Sequence, residues 1–251
     1  MAVLQGRRQF GTGNSTGVVS IIIPVFNERE SIEQLIERTL AVEIPFATKQ
    51  TIIVEDGSTD GTRKWLEQQF PNSVAAAIGV RLVKQPHNLG KGTAIRTALD
   101  HAEGDVTVIM DADLELDPAD IPSLVMPILA GEADVVFGNR FTGGARTARN
   151  LVHFLTNRSL TVLARLLTSL DLNDVEVGYK AFRTDLLRQM ALRSTGFEIE
   201  VELAMKLARL RYRLREVPVS YTARTNPGKK KFRWSDGMRA VLWLLYFRWF
   251  N

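Results

Sequence analysis

The 251 residues include no cysteine, so neither a disulfide nor a thiolate-held metal can support the fold. Histidine is almost as scarce. His87, His101 and His153 lie far apart in the chain, which leaves a His-rich zinc site without ligands. Any metal must be held mainly by oxygen. Long apolar runs are missing too. The nearest, "AVLWLLYF" at 240–247, is well short of the roughly 18 residues that a membrane span needs. The opening "MAVLQGRRQFGTGNSTG" lacks the apolar centre of a signal peptide, and residues 1–17 read as a flexible leader. The expected location is therefore the cytoplasm, with peripheral contact at the inner face of its membrane. Net charge is only +4, a modest excess that argues against a dedicated nucleic-acid binder.

What is present is the composition of a soluble folded chain, 45% hydrophobic and 24% charged. Its length suits one large α/β domain or two small ones. "VVSIIIPVF" is a β-branched run that reads as a buried strand. "ERESIEQLIERTL" follows with apolar residues at helical spacing. The pattern repeats through "QTIIVEDGSTDGT", "TRKWLEQQF", "VRLVKQ", "GKGTAIRTALDHA", "DVTVIM" and "ADVVFG". Strands alternating with short helices predict βαβ units and a mostly parallel central sheet flanked by helices. Ser58, Thr59 and Asp60 are placed to cap the second helix. Beyond residue 145 the texture becomes helical over 148–170, returns to strand character in "DLNDVEVGYKAF", and ends in a basic loop and an aromatic helix. With no repeats and no Pro- or Gly-rich linker, the reading is one catalytic domain over 18–234 and an amphipathic aromatic C-terminal helix over 235–251.

The polar signals fall after the strands, where parallel sheets bind ligands. "TVIMDADLEL" runs from an apolar strand into Asp111, Asp113, Glu115 and Asp117. In an extended segment residues i and i+2 point the same way, so Asp111, Asp113 and Glu115 can converge on Mg2+ or Mn2+, hard cations that favour oxygen. Read alone, D-x-D better fits a solvated acidic loop capping the helix at Pro118; its place at a strand end beside four other polar signals favours the metal. In "VEDGSTDGT", Glu55 and Asp56 can accept hydrogen bonds from a base or ribose, or merely form a capped turn. "HNLGKGTAIR" opens a helix whose N-terminus favours anions, with Lys91 adding charge. It is not a Walker A loop.

Together "SIIIPVFNERESI", "IIVEDGSTDGT", "HNLGKGTAIRTAL" and "VIMDADLELDP" resemble the nucleotide-sugar half of glycosyltransferase family 2, with its GT-A, Rossmann-like fold. "VVFGNRFTGG", "DVEVGYKAFR", "GFEIEVELAMK", "REVPVSYTAR" and "GKKKFRWSDGMRA" are similar to its dolichyl- and polyprenyl-phosphate mannose or glucose synthase branch. The resemblance covers roughly residues 18–248. It implies that Pro24, Asn27 and Glu28 border the nucleotide, that Asp56 contacts its base, and that Asp111 and Asp113 hold the metal with Glu115 as a third ligand. It implies that Arg140 of "GNR" reaches the site, that Asp174 is the acid the family shows before its "SGY" or "TGF"-type segment, and that Arg224 with Lys229, Lys230 and Lys231 covers the phosphates. Val177 stands where the family commonly has Ser or Thr.

The implied reaction is inverting, metal-dependent transfer of a mannose or glucose from a donor such as GDP-mannose or UDP-glucose to a polyprenyl phosphate. A lipid phosphate is already an oxyanion and asks for Arg and Lys rather than a base; Arg146 and Arg149 add to the supply. A sugar-hydroxyl acceptor would need a general base, for which Asp174 is a candidate, although it is equally placed to orient an arginine. A catalytically silent nucleotide or nucleic-acid module is the reading outside enzymology. Trp234, Trp243, Tyr246, Phe247, Trp249 and Phe250 beside basic residues suit either a membrane interface or a protein partner, including a second copy.

Overall fold

In a computed structural model of the chain, the structure describes residues 17–141, 172–210 and 212–222, together with Thr161, Val162, Arg165, Leu170, Leu242, Trp243 and Tyr246. Strand β1 (Gly17–Val25) is the centre of the first half. Its isoleucines are fully buried, as expected of a strand covered on both faces. It pairs in parallel with β2 (Ala47–Glu55) on one side and β4 (Val106–Met110) on the other, and β3 (Val80–Lys84) extends the sheet beyond β2. The links are helices α1 (Ile32–Ala41), α2 (Thr62–Gln69) with α3 (Asn72–Ala77), and α4 (Lys91–Leu99). The six-residue α3 escapes a periodicity reading because it is short and mostly alanine and serine.

After β4 a 3₁₀ turn (Pro118–Asp120) leads into α5 (Ile121–Leu129) and β5 (Val135–Asn139). Strand β6 (Tyr179–Arg183) then inserts between β4 and β5, antiparallel to both. Helices α6 (Thr184–Gln189) and α7 (Ile199–Leu210) precede β7 (Leu214–Pro218), which pairs in parallel with β5. The strand order is β3-β2-β1-β4-β6-β5-β7. The expected α/β architecture with a mostly parallel sheet is therefore present, with one reversed strand. Reversal brings the start of β6 to the same edge as the ends of the other six. The strand reading of residues 172–178 gives way to a turn segment that lies on that edge. Away from it, Asp134 fastens Arg183 and Arg213.

Gly17 opens β1, and the rest of the expected leader lies outside the described residues. So do the helical stretch at 148–160, the basic loop from Arg224 to Arg233, and nearly all of the aromatic C-terminal helix. Among the described residues no helix is long and apolar enough to cross a membrane.

Two loops that build the ligand edge are in close contact. A Cβ on Gly57 would lie 2.4 Å from the amide nitrogen of Asn88 and 2.4 Å from the carbonyl carbon of His87, and Gly57 has φ +77°. No side chain fits there. Gly57→Ala should cost about 1–3 kcal/mol from backbone strain alone, with further loss from the clash. Urea unfolding measures it, and a midpoint equal to wild type would show that the two loops part freely.

Candidate active site

The site is assembled from loops that bind one another before any ligand arrives. Pro24, next to last in β1, is half-buried and in register with Val54. Asn27 (φ 54°) donates its amide to the Ser58 hydroxyl at 2.9 Å and accepts from the Thr59 amide at 2.8 Å. The Glu28 amide donates to the Thr62 hydroxyl at 3.0 Å. The Glu28 carboxylate lies 2.9 Å from the Ser31 hydroxyl, which is also 2.9 Å from the Ala112 carbonyl. Asp60 accepts from Thr62 and from the Arg29 amide. Burial alone would raise its pKa, but these donors lower it. Of the residues expected to cap α2, Ser58 instead serves the β1 loop, while Asp60 does reach the first turn.

Glu55 and Asp56 part company. Glu55 is fully buried, bound to Arg63 and to the Ser58 amide at 2.5 Å. Asp56 accepts from the amides of Leu89 at 2.7 Å and Gly90 at 2.9 Å. Burial raises its pKa, and those two donors oppose the rise. Asp56 thus ties the end of β2 to the loop before α4. That helix begins under a lid. Thr93 donates its amide to the Thr195 carbonyl at 3.0 Å, and a Cβ on Gly92 would lie 2.4 Å from the Ser194 carbonyl oxygen. The helix N-terminus expected to attract an anion is therefore partly used by protein.

The acids after β4 do not form one cluster. Among the described residues no group of three His, Asp or Glu side chains is arranged to hold a metal. The alternation rule fails because the chain turns directly after Met110, and Leu114 has φ 59°. Asp111 is bound by Lys91 at 2.6 Å. Asp113 accepts from the Glu115 amide at 3.1 Å. Glu115, expected as a third metal ligand, instead accepts from the Tyr221 hydroxyl at 3.2 Å. Its neighbourhood raises the tyrosine pKa to about 12, first through burial and then through the carboxylate's charge. Asp117 caps the 3₁₀ turn and binds Arg38. The carboxylates of Asp111 and Asp113 nonetheless suit Mg2+ or Mn2+, which take one or two protein oxygens and complete their shell with water and phosphate.

Arg140, at the end of β5, binds Asp174 through Nε at 2.6 Å and Nη2 at 2.7 Å. The Asp174 side chain has no exposed surface. Glu216 of β7 holds the segment by accepting from the amides of Asn173 at 2.7 Å and Asp174 at 3.1 Å. Tyr221 lies against the guanidinium, 5.5 Å from its ring centre. Of the two roles open to Asp174, this geometry gives it the orienting one.

Charges that periodicity did not single out complete the edge. Lys91 also binds Glu200 of α7 at 2.7 Å, and Glu200 binds Lys180 of β6. Lys180 reaches the Val177 carbonyl as well and lies 4.8 Å from the Phe137 ring centre. Burial opposes the charge on Lys91, yet Asp111 and Glu200 outweigh it and raise its pKa. Burial lowers the pKa of Lys180, and Lys91 adds to that, against the charges of Glu200 and Asp174. The clue in sequence was a lysine inside the apolar strand "YKAF" and glutamates inside an apolar helix. Arg224, Lys229, Lys230 and Lys231 lie outside the described residues.

Glu176 lies in the turn segment before β6 and gives no such clue. It is half-buried, and among the described residues it has no hydrogen-bond or ion-pair partner. Burial pushes its pKa up to about 7, helped by Asp174 and Glu200 and opposed by Arg140 and Lys180.

The sequence matches the family model described as Glycosyl transferase family 2 over residues 20–190. It is 30% identical to the undecaprenyl-phosphate mannosyltransferase of Micrococcus luteus, over 82% of this chain and 84% of that protein. It is also 30% identical to the dodecaprenyl-phosphate galacturonate synthase of Rhizobium johnstonii, over 69% of this chain and 50% of that protein. Identity to the dolichol-phosphate mannosyltransferase of Pyrococcus furiosus is 29%, over 75% and 52% respectively. The chain thus spans about half the length of two of these relatives and most of the third. The fold is shared with the crystal structure of glucosyl-3-phosphoglycerate synthase from Mycobacterium tuberculosis in complex with Mn2+, UDP and glucosyl-3-phosphoglycerate. There the TM-score is 0.69 and identity 24%, over 92% of this chain and 80% of that one.

A carboxyl group whose pKa is raised on folding contributes stability that is complete below its unfolded pKa, near 4.5, and is lost as pH rises through about 7. Wild type should therefore lose thermal stability between about pH 5 and pH 8, and Glu176→Gln should lose less. Parallel melting curves for the two chains would contradict this.

Proposed function

The chain belongs to glycosyl transferase family 2, and from that premise we propose that it transfers a hexose from a nucleotide-sugar to a polyprenyl phosphate. The observation that carries the reading is the Arg140–Asp174 pair. A guanidinium fixed from behind by a buried carboxylate presents its remaining donors forward, the arrangement that suits an acceptor phosphate. The names of the Micrococcus, Rhizobium and Pyrococcus relatives support the same acceptor class. The acceptor oxygen attacks the anomeric carbon from the face opposite the diphosphate, whose oxygen leaves with the bonding electrons, so the configuration inverts. Lys91 and Arg140 supply positive charge where the leaving group and the acceptor meet. Asp111 and Asp113 would hold Mg2+ or Mn2+, and the ion when bound neutralises charge on the diphosphate. Crystals of the Mycobacterium protein held UDP with either ion.

On this reading GDP-mannose and UDP-glucose are the leading donors. Asp56 fixes the loop against which the base lies, and its carboxylate oxygens retain lone pairs for a base N–H. Pro24, Asn27 and Glu28 border the nucleotide. Arg224, Lys229, Lys230 and Lys231 close over the acceptor phosphate, and the aromatic helix at 235–251 meets the inner face of the cytoplasmic membrane. A second reading, a sugar-hydroxyl acceptor, is favoured by Glu176, whose pKa of about 7 suits a general base.

Transfer from labelled donors to extracted polyprenyl phosphate, against soluble glycan acceptors, separates the two. Glu176→Gln should leave lipid transfer largely intact; a loss of about a hundredfold or more would favour a hydroxyl acceptor. Asp113→Ala should abolish transfer with the fold retained by circular dichroism, and near-normal activity would remove the metal from Asp113. Changing Lys229, Lys230 and Lys231 together to Ala should abolish lipid transfer while donor affinity by calorimetry stays near wild type. Unchanged transfer would reduce the cluster to surface charge.

A further inference from the structure

Four charges alternate along a line across the ligand edge, from buried Lys180 and Glu200 through Lys91 to the partly exposed Asp111. Each lysine lies in a place where a lone ammonium would be costly. Lys91 occupies Oδ1 of Asp111, while the other oxygen is hemmed by the backbone of Gly178, where a Cβ would lie 1.8 Å from it. A divalent cation that takes Asp111 must therefore compete with Lys91 for the same carboxylate. Two positive charges at one carboxylate repel strongly in a protein interior. The root of Lys91 cannot follow, because Gly90 and Gly92 pin the start of α4 against Thr195 and Ser194. The flexible stem can. On its other side Lys91 already binds Glu200 and lies 5.9 Å from the Phe197 ring centre.

We propose that Lys91 is a resident counter-cation that yields Asp111 to a divalent metal, and that Glu200, anchored by Lys180, is the positioning residue that retains the displaced ammonium. The proposal rests on the reading that Asp111 receives a metal. Without Glu200, releasing Asp111 would strand a buried ammonium, so Lys91 would hold the carboxylate against the metal. With Glu200 in place, Lys91 stays in the site and its charge becomes available to the donor diphosphate.

The test is Mn2+ binding, by paramagnetic resonance or calorimetry, with saturating nucleoside diphosphate and no acceptor. Lys91→Met should bind Mn2+ more tightly than wild type. Glu200→Gln should bind it about tenfold more weakly, the scale of one lost charge-assisted hydrogen bond. The double variant Glu200→Gln with Lys91→Met should recover the affinity, a coupling that a merely structural role for Glu200 does not produce. If Glu200→Gln fails to fold, Glu200→Gln with Lys180→Met removes one charge of each sign and should show the same weakening. Mn2+ binding that is lost in Asp111→Ala yet unmoved by Lys91→Met and by the Glu200 variants overturns this proposal alone. Absence of Mn2+ binding by the wild-type chain overturns the metal reading beneath it as well.

Discussion

Charged groups cannot be buried singly, and that constraint shapes the ligand edge of this protein. Lys180 is 1% exposed and Glu200 6%, and neither would be tolerated without the other. Lys91 and Asp111 extend the same alternation outward until it meets the place where ligand would lie. The line begins in the middle of the sheet, on β6, crosses to α7, passes to the first residue of α4, and ends after β4. Four segments distant in sequence are thus fixed relative to one another by charge as well as by apolar packing.

The surrounding structure serves that alignment. Glu202, one helical position pair beyond Glu200, accepts from the amides of Arg193 and Ser194 and binds Lys206. Glu198 accepts from the amides of Thr195 and Gly196. The glutamates at 198, 200 and 202 therefore divide their work: two hold the loop that presses on Gly90 and Gly92, and one reaches Lys91. The Arg140–Asp174–Glu216 assembly does the same for the opposite side of the edge, and Tyr221 joins it to Glu115. Arg140 and Lys91 are thus each held in place by carboxylates.

Much of this was legible in the chain. β-branched runs located β1, β2 and β4 because burial on both faces demands them, and the polar turns after each strand marked the ligand edge. The burst of acids after an apolar strand marked the D-x-D segment, and the resemblance to a known family supplied the arginine of "GNR". What escaped did so for physical reasons. Alternation predicts a shared face only while the chain stays extended, and the turn after Met110 ends that condition before Glu115. The direction of β6 is set by its partners β4 and β5, which no local pattern encodes. Lys180 and Glu200 looked like interruptions of apolar segments because the partner that neutralises each is on another element. Glu176 carried no signal in sequence, because its raised pKa comes first from burial in the folded chain.

The placement of β6 also bears on how the chain is made. Strand β4 is buried along its whole length and pairs with β1, which precedes it in the chain. Its second edge has no partner until Tyr179–Arg183 has been synthesised. During translation the nucleotide half can therefore collapse early while one long-range hydrogen-bonding edge stays open, the kind of edge that recruits other chains. The acids after β4 lie at the end of that strand, and their charge discourages such pairing. The carboxylates at that strand end thereby guard the nascent chain before the sheet is closed.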